Sequence, residues 1–121
     1  MRTPLLSAIV LAALAAPASA ATYPVAGRWG QSAGSEKGAI DCSGTRVINF
    51  TGNTRTDSGG SVRAYQNRSV TDDGPSQYRI VDIFSNGQIS SGQLSYTLRR
   101  IDADHIELRM QGGTVKLQRC K

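Results

Sequence analysis

The chain has 121 residues, 39% of them hydrophobic, and a formal net charge of +5. That length makes one domain and excludes a large enzyme, a multidomain receptor and an integral membrane protein. The positive balance fits acidic partners or an anionic surface, and equally plain solubility with the codon habits of a GC-rich genome.

Residues 1–20 have the order of an export signal. Arg2 gives a positive start, an apolar run from Leu5 to Ala16 is broken only by Ser7, and Pro17 precedes the small residues Ala18-Ser19-Ala20. The run is about a dozen residues, shorter than the ~20 of a spanning helix. Cleavage after Ala20 is expected, with release into a bacterial periplasm or the medium. Residues 21–121 then form a single all-β domain and no transmembrane segment follows. This part carries 13 Lys and Arg against 9 Asp and Glu, and ten of the 13 are arginine.

All 13 glycines lie after residue 20. Most stand in pairs or beside Asn, Asp and Ser, which is turn chemistry, and between them lie short β-branched and aromatic runs. In chain order the predicted strands are Val25 to Gly30, Arg46 to Phe50, Ser61 to Val70 and Gln77 to Phe84. Residues 31–41 and 52–60 read as loops and 71–75 as a turn. Asn86-Gly87 reads as a hairpin turn, with Gln88 to Ser90 opening the next strand.

The last third is the most regular. Leu94, Tyr96 and Leu98 alternate with polar residues, as do Ile106, Leu108 and Met110, then Val115 and Leu117. A three-residue turn at 102–104 sets Leu98 opposite Leu108 and Tyr96 opposite Met110. A two-residue Gly112-Gly113 turn sets Met110 opposite Val115 and Leu108 opposite Leu117. All these apolar residues then share one face. The expected fold is a small antiparallel meander of seven to eight short strands, closing into a barrel or stacking as a sandwich to hide its edges.

Cys42 and Cys120 are the two cysteines. Export makes a disulfide the natural state of an even pair. The closed loop of roughly 80 residues is worth about 4–5 kcal/mol in the chain-entropy model. No CxxC spacing supports a redox or metal pair.

Gly27-Arg28-Trp29 at the start of the first strand resembles the Gly-x-Trp opening of lipocalins and related calycin barrels. The resemblance implies that Trp29 closes the barrel floor with a basic residue from a late strand across its ring. Arg119 is the candidate, since the register puts it on the core face beside Ile106. Trp29 reads equally as the largest side chain of a small β core. In size, Gly-x-Trp start, export and one disulfide the chain also resembles bacterial periplasmic inhibitors of secreted metalloproteases. Its cysteine placement is similar to that of periplasmic lysozyme inhibitors, but the positive charge argues against a basic lysozyme as partner.

Sites of chemistry are few. The derived register sets Arg109 opposite Lys116, an unfavourable like-charge pair, and Glu107 opposite Arg99. Arg99, Arg109 and Lys116 are therefore a candidate anion or partner patch, although such long side chains also splay freely into water. Asp102, Asp104 and His105 cluster at one turn, but adjacent turn residues rarely converge on a metal. Asp72-Asp73 reads as turn chemistry. No catalytic set, cofactor or metal is expected, and nucleic acid is an unsuitable partner for so few aromatics. The expected role is non-enzymatic: a monomeric module engaging a secreted or periplasmic protein, inhibitor-like, with Ala21 to Ala26 standing free to enter a protease cleft. The alternatives are a lipocalin-like carrier, which requires an apolar cavity of ~300 Å³ or more, and an envelope structural protein that binds no ligand.

Overall fold

The computed structural model describes residues 21–121, and the expected export signal lies outside the described residues. The described residues are all-β. Eight strands run in order: β1 (Gly27–Gln31), β2 (Val47–Thr51), β3 (Thr54–Asp57), β4 (Ala64–Asp72), β5 (Gln77–Phe84), β6 (Gly92–Asp102), β7 (His105–Met110) and β8 (Gly113–Arg119). Each pairs antiparallel with the next, and β8 returns to pair with β1, closing the barrel. Closure removes every sheet edge, which the short N-terminal strands could not otherwise protect.

Period-two alternation decides what faces inward. Trp29, Ile48, Phe50, Ile80, Tyr96, Leu98, Ile106, Leu108 and Leu117 form the core together with Tyr23 and Val25, with Val70, Tyr78, Leu94, Met110 and Val115 packed against them. At ~25 cal/mol per Å² of apolar surface buried, these side chains supply most of the drive to fold.

Several turns differ from the sequence expectation. β7 and β8 turn on Gln111-Gly112, so Met110 pairs with Gly113, Leu108 with Val115 and Ile106 with Leu117. Gly113 has φ 143°, a conformation open essentially to glycine, and so it opens the strand instead of sitting in the turn. The shift is two residues, so the apolar face is preserved. Leu98 does face Leu108, but through a two-residue turn and an irregularity at Ile101, with Asp102 paired to His105. β5 and β6 are joined by residues 85–91, because Phe84 pairs with Gly92. The Phe84 ring lies over that glycine, where a Cβ would sit 2.3 Å from it. Residues 52–60 are not all loop: Gly52-Asn53 turns the chain and β3 follows, with Thr51 paired to Thr54, while 58–60 bend without strand pairing. β4 likewise continues to Asp72.

The disulfide joins Cys42 to Cys120, 78 residues apart in sequence. It packs over the outside of β1 at Gly30, where a Cβ would meet the Cys42 sulfur at 2.5 Å. Ile40 bridges Cys120 in parallel, so the long segment between β1 and β2 is laid along the end of β8.

Candidate functional site

One barrel mouth is closed by the N-terminal segment and the last strand. Trp29 pairs with Arg119 across the β1–β8 seam, and the Arg119 guanidinium carbon stands 4.6 Å from the centre of the indole. Arg119 is held there by donating to the Ala103 carbonyl and to Asp104, at 2.7 Å and 3.2 Å. Trp29 donates its indole N–H to the Ala26 carbonyl at 3.1 Å. The segment expected to stand free is folded into this mouth. Tyr23 and Val25 are buried, the Tyr23 N–H donates to Gly52, and Arg100 donates to the Pro24 carbonyl. Two large apolar side chains gain more by entering the core than by facing water, so nothing in Ala21 to Ala26 projects as an inhibitory arm.

The interior holds a polar cluster that alternation alone did not reveal. Arg55 of β3 is buried and donates to Asp82 of β5 at 2.9 Å. Asp82 also accepts from Tyr23 and Tyr96, both at 2.8 Å, and from Asn67 at 3.1 Å. Burial and the neighbouring Asp82 push both phenols far above their ordinary range, so they remain donors at any ordinary pH. The Arg55 guanidinium lies 3.9 Å over the Tyr65 ring and 5.1 Å from that of Tyr96. Its two terminal nitrogens have no hydrogen-bond partner among the described residues, and those ring faces stabilise the charge instead. Nearer the other mouth Arg46 grips Asp57 with two bonds of 2.9 Å and 2.6 Å. Burial alone would raise the Asp57 carboxyl, but the Arg46 bonds and the Gly59 N–H hold it below the usual carboxylate range. A visible trace of this cluster was Asp82 itself, a lone acid in step with Ile80 and Phe84 on an apolar strand.

The comparison with protein families, with curated proteins and with solved structures gives no match.

The expected patch of Arg99, Arg109 and Lys116 does lie on the outer wall, but not as a like-charge clash. Arg109 pairs with Thr114, and Lys116 faces Glu107, which also faces Arg99 at 3.8 Å. The two-residue shift of the β7–β8 turn is the cause. Asp102, Asp104 and His105 do not converge either. Asp102 receives the His105 Nδ1 contact at 2.8 Å while Asp104 turns to Arg119. Among the described residues no three His, Cys, Asp or Glu side chains gather to hold a metal ion.

An open groove of about 640 Å³ lies beneath the 85–91 segment, lined in part by Tyr65, Arg68, Ile83, Phe84 and Gln93. Tyr65 and Phe84 meet edge to face, ring centres 5.4 Å apart, and both stay half-buried at its rim. Asn86 organises the loop above by accepting from the Gln88 and Ile89 N–H groups, each at 2.8 Å. This leaves Ile89 44% exposed beside the groove.

Proposed function

We propose that this chain is an exported, non-catalytic binding module that engages a protein partner through the groove beneath residues 85–91. The observation that carries the reading is the Tyr65–Phe84 pair, half-buried at the rim of an open groove beside the exposed Ile89. Rigid aromatics, an arginine and an unpaired aliphatic side chain at one recess are the composition of protein-binding hot spots. The disulfide favours an oxidising compartment. The closed barrel with Arg119 over Trp29 favours the calycin-like reading of Gly27-Arg28-Trp29. An internal carrier is disfavoured, because core side chains and the Arg55–Asp82 cluster occupy the barrel along its length.

The test is site-specific photo-crosslinking in the compartment that receives the protein. A crosslinker at Ile89 should give one discrete partner band, removed by Phe84→Ala. The same crosslinker at Arg28, exposed on β1 across the barrel from β5, should give none. Equal crosslinking from both positions would defeat the proposal.

A further inference from the structure

The barrel sorts its charges by place. Asp57 and Asp82 are buried and matched by Arg46 and Arg55. Asp72, Asp73, Asp102 and Asp104 sit at strand ends and turns, and Glu36 and Asp41 belong to the segment between β1 and β2. On the outer wall of β5–β8 one acid remains, Glu107, against Arg79, Arg99, Arg109 and Lys116, all exposed.

The register gives this wall an order. Thr71 pairs with Arg79, Arg79 with Thr97, Thr97 with Arg109, and Arg109 with Thr114. One rung across five strands therefore reads Thr, Arg, Thr, Arg, Thr. With strands about 4.8 Å apart, the rung is about 19 Å long and its two arginines stand about 10 Å apart. The next outward rung reads Gln77, Arg99, Glu107, Lys116.

We propose that this wall binds a flexible polyanion, a polysaccharide chain bearing phosphate groups, laid across the strands along the Thr–Arg rung. Guanidinium forks grip phosphate oxygens in pairs, and hydroxyls between them bond the same oxygens or the sugar. A lone phosphate reaches one arginine at that spacing, whereas a chain reaches both together with Arg99. The rung has no aromatic anchor of the kind a protein partner uses. It has no apolar side chain to enter a bilayer, and its convex wall meets a plane along a narrow strip. The inference is independent of the groove beneath residues 85–91.

The experiment titrates the purified chain with a phosphomannan by calorimetry, with neutral dextran, orthophosphate and phosphatidylglycerol–phosphatidylcholine vesicles as the other arms. Phosphomannan should bind, weakening at least fivefold between 50 and 200 mM salt as screening rises, while dextran and orthophosphate should not. Arg79→Gln with Arg109→Gln should weaken it at least tenfold. Arg28→Gln with Arg63→Gln removes the same charge elsewhere and should change it less than twofold. Arg79→Lys with Arg109→Lys keeps the charge without the fork and should fall between. Unchanged Trp29 fluorescence verifies the fold of each variant. Equal loss in both glutamine doubles, tighter binding to vesicles, or no binding of phosphomannan would overturn the proposal.

Discussion

Strands β5–β8 run 8, 11, 6 and 7 residues and send Ile80, Leu98, Ile106, Leu108 and Leu117 inward, whereas β1, β2 and β3 run 5, 5 and 4 residues and the inward row of β3 is Arg55 and Asp57. The C-terminal half locks its register by apolar burial, because a slip of one residue would expose that whole row. The N-terminal half has less to bury. It is held from outside by the disulfide and from within by ion pairs. Its strands are fixed by a few strong contacts and its partner half by many weak ones, and the two should fail differently.

The largest break is expected at the disulfide. Replacing both cysteines, Cys42→Ser with Cys120→Ser, should cost about 4–5 kcal/mol in the chain-entropy model, read as a drop in the urea midpoint. Hydrogen exchange should then rise first in residues 32–46 and β1–β3, while β6–β8 stay protected. A uniform rise would mean that the halves are one cooperative unit and that the contrast has no energetic content.

The second break is Asp82→Ala. Although Asp82 belongs to β5, it anchors Arg55, Tyr23, Tyr96 and Asn67. Its loss leaves a buried guanidinium without its carboxylate, which should cost about 3–5 kcal/mol. Removing both charges, Asp82→Ala with Arg55→Met, should recover only the part of that loss due to the unpaired guanidinium, because Tyr23, Tyr96 and Asn67 still lack their acceptor. Urea unfolding of the singles and the double closes the cycle. Additive losses would show that Arg55 is held by the Tyr65 and Tyr96 ring faces and not by Asp82.

The same contrast explains what the sequence disclosed. β6, β7 and β8 alternate apolar and polar residues, so their existence, faces and the Leu98–Leu108 pairing were legible. β3 reads Thr-Arg-Thr-Asp and looks like a glycine-flanked loop, because its inward residues are charged. The β2–β3 hairpin brings Arg46 to Asp57, and only the packing of β3 through β4 to β5 brings Asp82 to Arg55. The disulfide followed from the expected export and an even cysteine count. The Trp29–Arg119 contact was implied by the Gly-x-Trp resemblance, with Arg119 named by strand parity, which the two-residue register shift left intact. Only the direct Arg109–Lys116 pairing did not survive that shift, since it depended on register and not on parity, and both residues stay on the outer wall. The groove at Tyr65 and Phe84 was not legible, since it depends on seven residues bridging β5 and β6 where Asn86-Gly87 suggested two.

A smaller effect is expected where the halves meet. Arg119→Ala removes the guanidinium from Trp29 and its bonds to Ala103 and Asp104 at the β1–β8 seam. The stacking alone is worth about 0.5–2 kcal/mol, and the part-exposed side chain places the loss toward the lower end. Trp29 is the one tryptophan, so intrinsic fluorescence reports the seam directly. Arg119→Lys should restore part of the stability without the paired bonds to Ala103. A full recovery would show that charge and not the planar fork closes the mouth.

The smallest effect concerns how the segment after β1 is pinned to the C-terminal half. His105 faces an acceptor with each ring nitrogen, Asp102 Oδ1 and the Glu36 carbonyl, both at 2.8 Å. Only the doubly protonated ring donates to both. The Asp102 hydrogen bond and then the Glu36 carbonyl raise the His105 pKa above its ordinary 6.5, with Asp104 adding attraction. The same contact and the Asp104 N–H lower Asp102 below its ordinary 3.8. A raised histidine contributes fully below its unfolded pKa and loses its contribution as pH rises through the folded one. A lowered carboxylate contributes above its unfolded pKa and fades as pH falls through the folded one. The clasp should therefore be tightest between about pH 4 and 6.5 and should loosen above neutrality. Gln118 donates to the Glu36 and Gly38 carbonyls at 2.8 Å and 2.7 Å at every pH, so the segment loosens without leaving. Amide exchange of residues 34–38, corrected for its intrinsic pH dependence, should rise two- to fivefold from pH 5.5 to 8. In His105→Asn the corrected rates should be flat and already high. A wild-type profile as flat as that of the variant would show that Gln118 alone pins the segment and that the histidine is a bystander.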